Sequence, residues 1–314
     1  MSLVLNVTLA ALLAQSPAHS TAAAPEQQGE ALAMQVALDR AGFSPGLIDG
    51  KMGTNTQRAL DAYRTQHGTD PLPSANPLTT YTITDQDVSG PFAPEIPPDL
   101  MEQAQLPNLS YTSPLEALAE RFHASPQLLK QLNPQATFTS GEQIRVPDVE
   151  PFIVPPPRET TGTSGKAEAD AETSPPKPDV VVAVSKATSV LTVRDADGQI
   201  VFHAPVTTGS EHDPLPLGEW TVTGVHANPV FNYNPELFWD ADPSHAKARL
   251  SPGPNNPVGV VWIDLSKEHY GIHGTPEPAT VGRSASHGCV RLTNWDAFQL
   301  SGLVKPGTRV VFTE

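Results

Sequence analysis

The only cysteine of this chain lies near its C-terminus, in the stretch "GIHGTPEPATVGRSASHGCVR". The thiolate is the nucleophilic form of cysteine, and a histidine within hydrogen-bond reach can take the thiol proton. Cys289 is therefore a candidate nucleophile, with His273 and the nearby His287 as candidate bases. The separation of His273 from Cys289 suits two side chains that meet across a loop. Gly288 permits a turn that aims neighbouring N–H groups at a single oxyanion.

Two other interpretations fit the same residues. His273, His287 and Cys289, together with His269, are all possible zinc ligands, although no CxxC pair or HExxH motif accompanies them. Cys289 can also be a buried thiol beside structural histidines. Residue types and spacing alone leave these alternatives open.

Composition narrows the functional class. The net charge is −15 and the pI is about 5.0, which argues against nucleic-acid binding, since that requires a basic surface. A single cysteine cannot form an internal disulfide, and in an exported protein it indicates a reactive thiol or an intermolecular bond.

The N-terminus indicates export. Residues 3–14 are mostly apolar and small residues follow up to residue 24, so we interpret residues 1–24 as a signal peptide. The usual basic start is missing, because no lysine or arginine precedes Arg40, and a helical or disordered N-terminus is the alternative. No later run of the sequence is apolar for long enough to cross a membrane.

Three compact regions are separated by proline-rich stretches. Residues 71–108 and 149–178 read as linkers, since the second contains almost no large apolar residues and cannot form a core. Residues 179–314 alternate between apolar and polar positions, with a hairpin signal at Asp197–Gly198. Many short strands and few helices predict a mostly-β sandwich or barrel in this C-terminal region.

Residues 29–70 predict a small helical domain, in which an amphipathic helix is followed by the turn "SPGLIDG" and a second helix. This region resembles the peptidoglycan-binding domain of the three-helix type. The shared positions are Gly42, Gly46, Asp49, Gly50, Gly53, Thr56, Ala59 and Leu60. The alternative is a generic helical hairpin.

Residues 109–148 predict a small α+β unit. Ser113 and Ser125 each precede a proline at the start of a short helix, and "EQIRVP" ends the unit as a strand. The unit resembles a LysM domain, which binds N-acetylglucosamine polymers. The first strand of that family is not found before Ser113, where "YTSP" stands instead. A LysM-like unit that serves only as a spacer is the alternative.

The stretch around Cys289 closely resembles the signature of L,D-transpeptidases of the YkuD type. That signature is a histidine, a spacer, then Ser/Thr-His-Gly-Cys, a hydrophobic residue and arginine or asparagine. "PLPLGEWTV" and "PGPNNPVG" match two further segments of the family in the right order. The resemblance covers residues 179–314 and implies a multi-domain protein with a mostly-β catalytic domain.

The resemblance also implies a role for each site residue. Cys289 is the nucleophile and His273 is the general base, oriented by a backbone carbonyl. His287, Gly288 and Ser286 shape the site and its oxyanion hole. Arg291 and Gly274 contribute to substrate binding, and the alternative for Arg291 is a surface ion pair. No metal or cofactor is implied.

The implied reaction is acyl transfer in the cell envelope or periplasm. Cys289 forms a thioester with a peptidoglycan tetrapeptide stem and D-Ala leaves. The acceptor is the amine of another stem, giving a 3–3 crosslink, or a protein lysine such as that of an outer-membrane lipoprotein. With water as acceptor the enzyme is an L,D-carboxypeptidase or crosslink hydrolase. A non-catalytic peptidoglycan-binding protein is a further alternative.

Overall fold

The computed structural model of this protein describes residues 25–73, 76–156 and 179–314. The predicted signal peptide and most of the second predicted linker lie outside these ranges. None of the described helices is long and apolar enough to cross a membrane.

Helices dominate the N-terminal half of the chain and strands dominate the C-terminal half. The helices are α1 Pro25–Arg40, α2 Thr54–His67, α3 Asp85–Val88, α4 Leu100–Gln103, α5 Pro114–Arg121, α6 Pro126–Leu132 and α7 Asn294–Leu303. The strands are β1 Leu78–Thr82, β2 Gln143–Pro147, β3 Val181–Ser185, β4 Val190–Arg194, β5 Ile200–Pro205, β6 Gly218–Ala227, β7 Phe231–Tyr233, β8 Ala248–Leu250, β9 Val261–Leu265, β10 Gly271–His273, β11 Val290–Arg291 and β12 Arg309–Thr313.

The C-terminal region is built on one eight-stranded sheet in the order β11-β10-β9-β6-β12-β3-β4-β5. The long strand β6 pairs with β12 through its first half and with β9 through its second half. The register of the β6–β9 pairing shifts between Val222 and Gly224, at the start of that second half. A bulge of this kind bends a sheet, so the two halves face each other across a shared apolar core. The mostly-β C-terminal domain that the alternating pattern predicts is confirmed as a curled sheet.

The two ends of this sheet meet beside the candidate site. Thr207, just after β5, exchanges both backbone hydrogen bonds with Arg291 of β11, at 3.0 and 2.9 Å. The curled sheet therefore closes on itself where the cysteine-containing segment begins. This closure fixes the backbone on which the candidate catalytic residues stand.

The N-terminal helices form the predicted pair, with a tight connection between them. Gly42, Gly46 and Gly50 all adopt positive φ in that connection, which is why glycine occupies these turns. The small core includes Leu38, Phe43, Ala59 and Leu60, together with Ile200 from the catalytic domain. The helical unit therefore shares its core with the sheet domain.

The second unit has a first strand that differs from the sequence prediction. β1 pairs antiparallel with β2, and α5 and α6 pack against this two-stranded sheet. β1 lies within 71–108, the stretch predicted as a linker, and is separated from α5 by a segment that carries α3 and α4. The strand was missed because it stands far upstream of α5, among prolines, whereas the prediction looked for it directly before Ser113.

The described units pack directly on one another. Ser44 donates its backbone N–H to the carbonyl of His203 at 2.8 Å, and His203 donates to Gly42 at 2.9 Å. Phe152, inside the second predicted linker, is buried in the core of the catalytic domain. The N-terminal units therefore form part of one body with the catalytic domain, whereas the sequence predicts modules held apart by linkers.

Candidate active site

Cys289 immediately precedes β11, which runs parallel to β10. The register pairs Ile272 with Val290 and His273 with Arg291, so Cys289 falls beside Gly271. Side chains two residues apart on a strand project to the same face, as do register partners on neighbouring strands. His273, Cys289 and Arg291 therefore project from one face of the sheet.

The orientation of His273 leaves one ring nitrogen available. His273 is buried at the end of β10, and its Nδ1 lies 2.7 Å from the carbonyl oxygen of Gly274. Because a carbonyl can only accept, Nδ1 carries the proton, and Nε2 therefore has the lone pair that can accept one. The other side of the ring stacks on Trp262, with centroids 5.2 Å apart. Contacts on both sides hold the imidazole in place.

Burial keeps both reacting groups neutral at rest. Burial lowers the pKa of His273 to about 3, with the charge of Arg291 contributing to the shift. Burial also raises the pKa of the Cys289 thiol, and this outweighs the Gly271 N–H and the Arg291 charge, which both lower it. Cys289 and His273 are therefore a thiol and a neutral imidazole before substrate arrives.

Arg291 is the cation of this face. Burial lowers its pKa, and the charges of Cys289 and Glu277 oppose that shift. Its Nε is buried and has no hydrogen-bond partner among the residues that the structure describes. A desolvated guanidinium with an unused donor is suited to binding an anion such as a carboxylate.

Ser286 and Gly288 shape the turn that presents the thiol. Ser286 is buried, and its hydroxyl donates to the carbonyl of Cys289 at 2.5 Å. Gly288 has φ +100°, and a Cβ there would lie 2.6 Å from a ring carbon of Tyr270. Only glycine fits both the backbone conformation and the packing at this position.

His287 is directed to a different part of the surface. Its Nε2 lies 2.8 Å from a carboxylate oxygen of Asp240, and its ring contacts Phe238 edge-on. Both partners belong to the segment between β7 and β8. His287 therefore joins the cysteine turn to that segment.

Gly274 lies between His273 and helix α7. Its carbonyl orients His273, and a Cβ on Gly274 would lie 2.2 Å from Oδ1 of Asn294. Asn294 is fully buried and its side chain also accepts from the backbone N–H of Val260. Gly274 thus permits the close packing of α7 under the strand that carries His273.

Trp262 is a site residue that the sequence prediction did not single out. Its indole occupies the space above Gly271, where a Cβ would lie 2.5 Å from a ring carbon, and it stacks on His273. The indole N–H donates to Asp264 at 2.5 Å. The alternation of "VVWIDL" places Trp262 and Asp264 on one face, which was the available signal.

The candidate zinc ligands do not converge. No group of three histidine, cysteine, aspartate or glutamate side chains in the described ranges is arranged to hold a metal ion. His273 is engaged with Gly274, His287 with Asp240 and His269 with Glu268.

Comparisons with known proteins identify the family of the C-terminal region. The family model described as the L,D-transpeptidase catalytic domain, YkuD, matches residues 179–312. The chain is 28% identical to YkuD of Bacillus subtilis over 62% of its own length and 91% of that relative. It is 32% identical to YqjB of the same organism, over 43% of its own length and 72% of that relative.

Among solved structures, an L,D-transpeptidase from Mycobacterium smegmatis aligns with a TM-score of 0.36 and 19% identity, over 43% of this chain and 59% of that one. The two Bacillus relatives carry L,D-transpeptidase in their names, and YqjB is matched over most of its length. Through its C-terminal catalytic domain, the chain belongs to the L,D-transpeptidase family.

Proposed function

We propose that this protein is a peptidoglycan acyltransferase that works through a thioester on Cys289. The observation that carries the proposal is that the strand register puts His273, with its Nδ1 held by the Gly274 carbonyl, on the same face of the sheet as Cys289. A thiol that shares a sheet face with an oriented, unprotonated imidazole fits what nucleophilic cysteine catalysis requires.

In the first half of the reaction, the thiol proton passes to Nε2 of His273 as the sulfur attacks the acyl carbonyl of a tetrapeptide stem. The carbonyl lies between diaminopimelate and the terminal D-Ala. Backbone N–H groups of the turn at residues 287–289 stabilise the oxyanion. The C–N bond then breaks, the imidazolium proton goes to the leaving amine, and D-Ala departs from the thioester.

In the second half, an acceptor attacks the thioester and gives its proton to His273, and the thiol of Cys289 is restored. An amine of a second stem produces a 3–3 crosslink, and a protein lysine produces an anchored protein. Attack by water makes the same site an L,D-carboxypeptidase or hydrolase. Arg291 binds a carboxylate of the stem, which its buried and unpaired Nε supports.

The substrate places the protein in the cell envelope, outside the cytoplasm. The two N-terminal units would then contact glycan strands, which fits their resemblance to peptidoglycan-binding and LysM domains. Their direct packing on the catalytic domain means that any glycan they bind lies at a fixed distance from Cys289.

Release of D-Ala from purified tetrapeptide muropeptides tests the reaction. We expect release by the wild type, a covalent acyl-enzyme mass in the wild type, and neither in Cys289→Ser. His273→Gln should lose turnover, whereas His67→Gln, at an exposed position on α2, serves as a matched histidine control and should keep it. No release by either the wild type or Cys289→Ser would leave only the non-catalytic, wall-binding function. The dimeric, anchored or hydrolysed product identifies the acceptor.

A further inference from the structure

The segment between the two catalytic motifs, residues 275–285, is called the lip here. It begins after Gly274 and ends before Ser286, so it connects His273 to the cysteine turn. Thr207, which follows β5 of the C-terminal sheet, makes two hydrogen bonds to the lip. The Thr207 hydroxyl accepts from the N–H of Gly282 at 3.0 Å and lies 3.3 Å from the carbonyl of Thr280.

The N-terminal helical unit holds the lip from the opposite side. Asn55, at the start of α2, is buried, and its Nδ2 donates to the carbonyl of Val281 at 2.9 Å. A Cβ on Gly282 would lie 2.7 Å from Oδ1 of Asn55, so the lip passes directly over this side chain. A residue of one domain thus bonds to the active-site segment of another.

The chemistry of the Asn55 side chain indicates that its donor is the important group. Its Oδ1 is buried and has no hydrogen-bond partner within the described part of the chain. Burying an unsatisfied carbonyl costs free energy, so general polarity does not account for an asparagine here. Its amide group supplies the bond to the lip.

The lip is connected to the reacting groups at both of its ends. Near its start, the charge of Glu277 acts on the guanidinium of Arg291. Just past its end, Ser286 donates to the carbonyl of Cys289 and receives a bond on its own carbonyl from Ser210. Displacement of the lip would therefore change the surroundings of both Arg291 and Cys289.

We propose that the helical unit is a built-in part of the active site, and that Asn55 is a positioning residue which fixes the lip for binding of the acyl donor. This assigns to the unit a task beyond contact with glycan. The effect on substrate rests on the proposed transpeptidase function, whereas the effect on the lip itself does not.

A second contact on the same helix provides the matched control. Gln66, toward the other end of α2, exchanges two hydrogen bonds with the backbone of Ile200, at 3.0 and 2.6 Å. This contact joins the same two domains but does not involve the lip. Gln66→Ala therefore weakens docking and leaves the bond between Asn55 and Val281 intact.

The test uses the full chain with Asn55→Asp, Asn55→Ala and Gln66→Ala. Aspartate has nearly the shape of asparagine but, when ionised, cannot donate to the Val281 carbonyl. Hydrogen–deuterium exchange of the lip amides is measured in each variant, followed by KM and kcat for D-Ala release. We expect both Asn55 variants to speed lip exchange by about fivefold, the factor that corresponds to one hydrogen bond.

The same variants should raise KM for the tetrapeptide donor more than they lower kcat, and Gln66→Ala should leave lip exchange and KM near the wild-type values. Lip exchange that is unchanged in Asn55→Asp, or changed equally in Gln66→Ala, overturns the proposal. A wild type that releases no D-Ala refutes the proposed function, and the exchange result still decides the role of Asn55.

Discussion

A cluster of buried acidic groups lies where the three units meet, and it allows one quantitative prediction. Glu120 of α5 and Asp296 of α7 are both buried. Glu120 accepts from the side chain of Asn294 at 2.8 Å, and the His123–Asp39 pair lies nearby. Burial raises the pKa of Glu120 to about 7, and burial does the same for Asp296.

The direction of the effect follows from where the proton is bound. Between about pH 4.5 and pH 7, Glu120 keeps its proton in the folded chain and loses it in the unfolded chain. The folded state then binds more protons, so the free energy of unfolding falls as the pH rises through this window. A difference of about 2.5 pH units corresponds to about 3 kcal/mol, as an upper value.

Glu120→Gln removes this ionisation while keeping an oxygen that can accept from Asn294. We expect the loss of stability between pH 5 and pH 8 to be smaller in Glu120→Gln than in the wild type, by about 2–3 kcal/mol. Urea unfolding at several pH values measures this. The exposed Glu102→Gln is the control and should keep the wild-type profile. If Glu120→Gln also keeps it, the carboxyl is not protonated in the folded chain.

Three further expectations concern the cysteine turn. Gly288→Ala should destabilise the protein by about 1–3 kcal/mol, because φ is +100° and the added Cβ meets Tyr270; an unchanged melting temperature contradicts this. Alkylation of Cys289 by iodoacetamide should rise with pH beyond pH 8, because burial raises the pKa of the thiol. It should show no step near pH 6–7, since His273 is already neutral there with a pKa of about 3, and such a step would refute the neutral pair. Arg291→Gln should move the alkylation profile to higher pH, because the charge of Arg291 lowers the pKa of the thiol. Arg291→Lys keeps the charge and should restore the wild-type profile. A profile that is not shifted in Arg291→Gln would rule out this electrostatic effect.

The sequence predicts the sheet domain well because its information is local. Alternation in "VVVAVSKATSVLTV" gives β3 and β4 with alternate residues buried, as the structure has them. The glycine at position 288 also has a local cause, because its φ of +100° is a backbone conformation that glycine adopts without strain. The candidate pair of Cys289 and His273 could be named from residue type and order.

The features that the sequence does not predict depend on contacts between residues far apart in the chain. β1 is only five residues long, LTTYT, and its exposure does not alternate; its partner β2 follows only after α6. The bond from Asn55 to Val281 joins positions separated by 226 residues, and no local pattern announces it. Trp262 reads as an ordinary strand residue until the register of β9 and β10 places its ring against His273.

The neutral thiol of Cys289 and the neutral imidazole of His273 determine when a thiolate can form. A thiol with a raised pKa beside an imidazole with a lowered pKa holds little thiolate, because charge separation in a buried site is unfavourable. In the proposed reaction, the thiolate–imidazolium pair therefore forms only as the acyl carbonyl arrives and the sulfur begins to bond to it. Reactivity then depends on how accurately the substrate is positioned. The lip and its hydrogen bond to Asn55 therefore act on kcat/KM. In the proposed reaction, it also keeps the thiol of Cys289 unreactive toward other molecules until the acyl donor occupies the site.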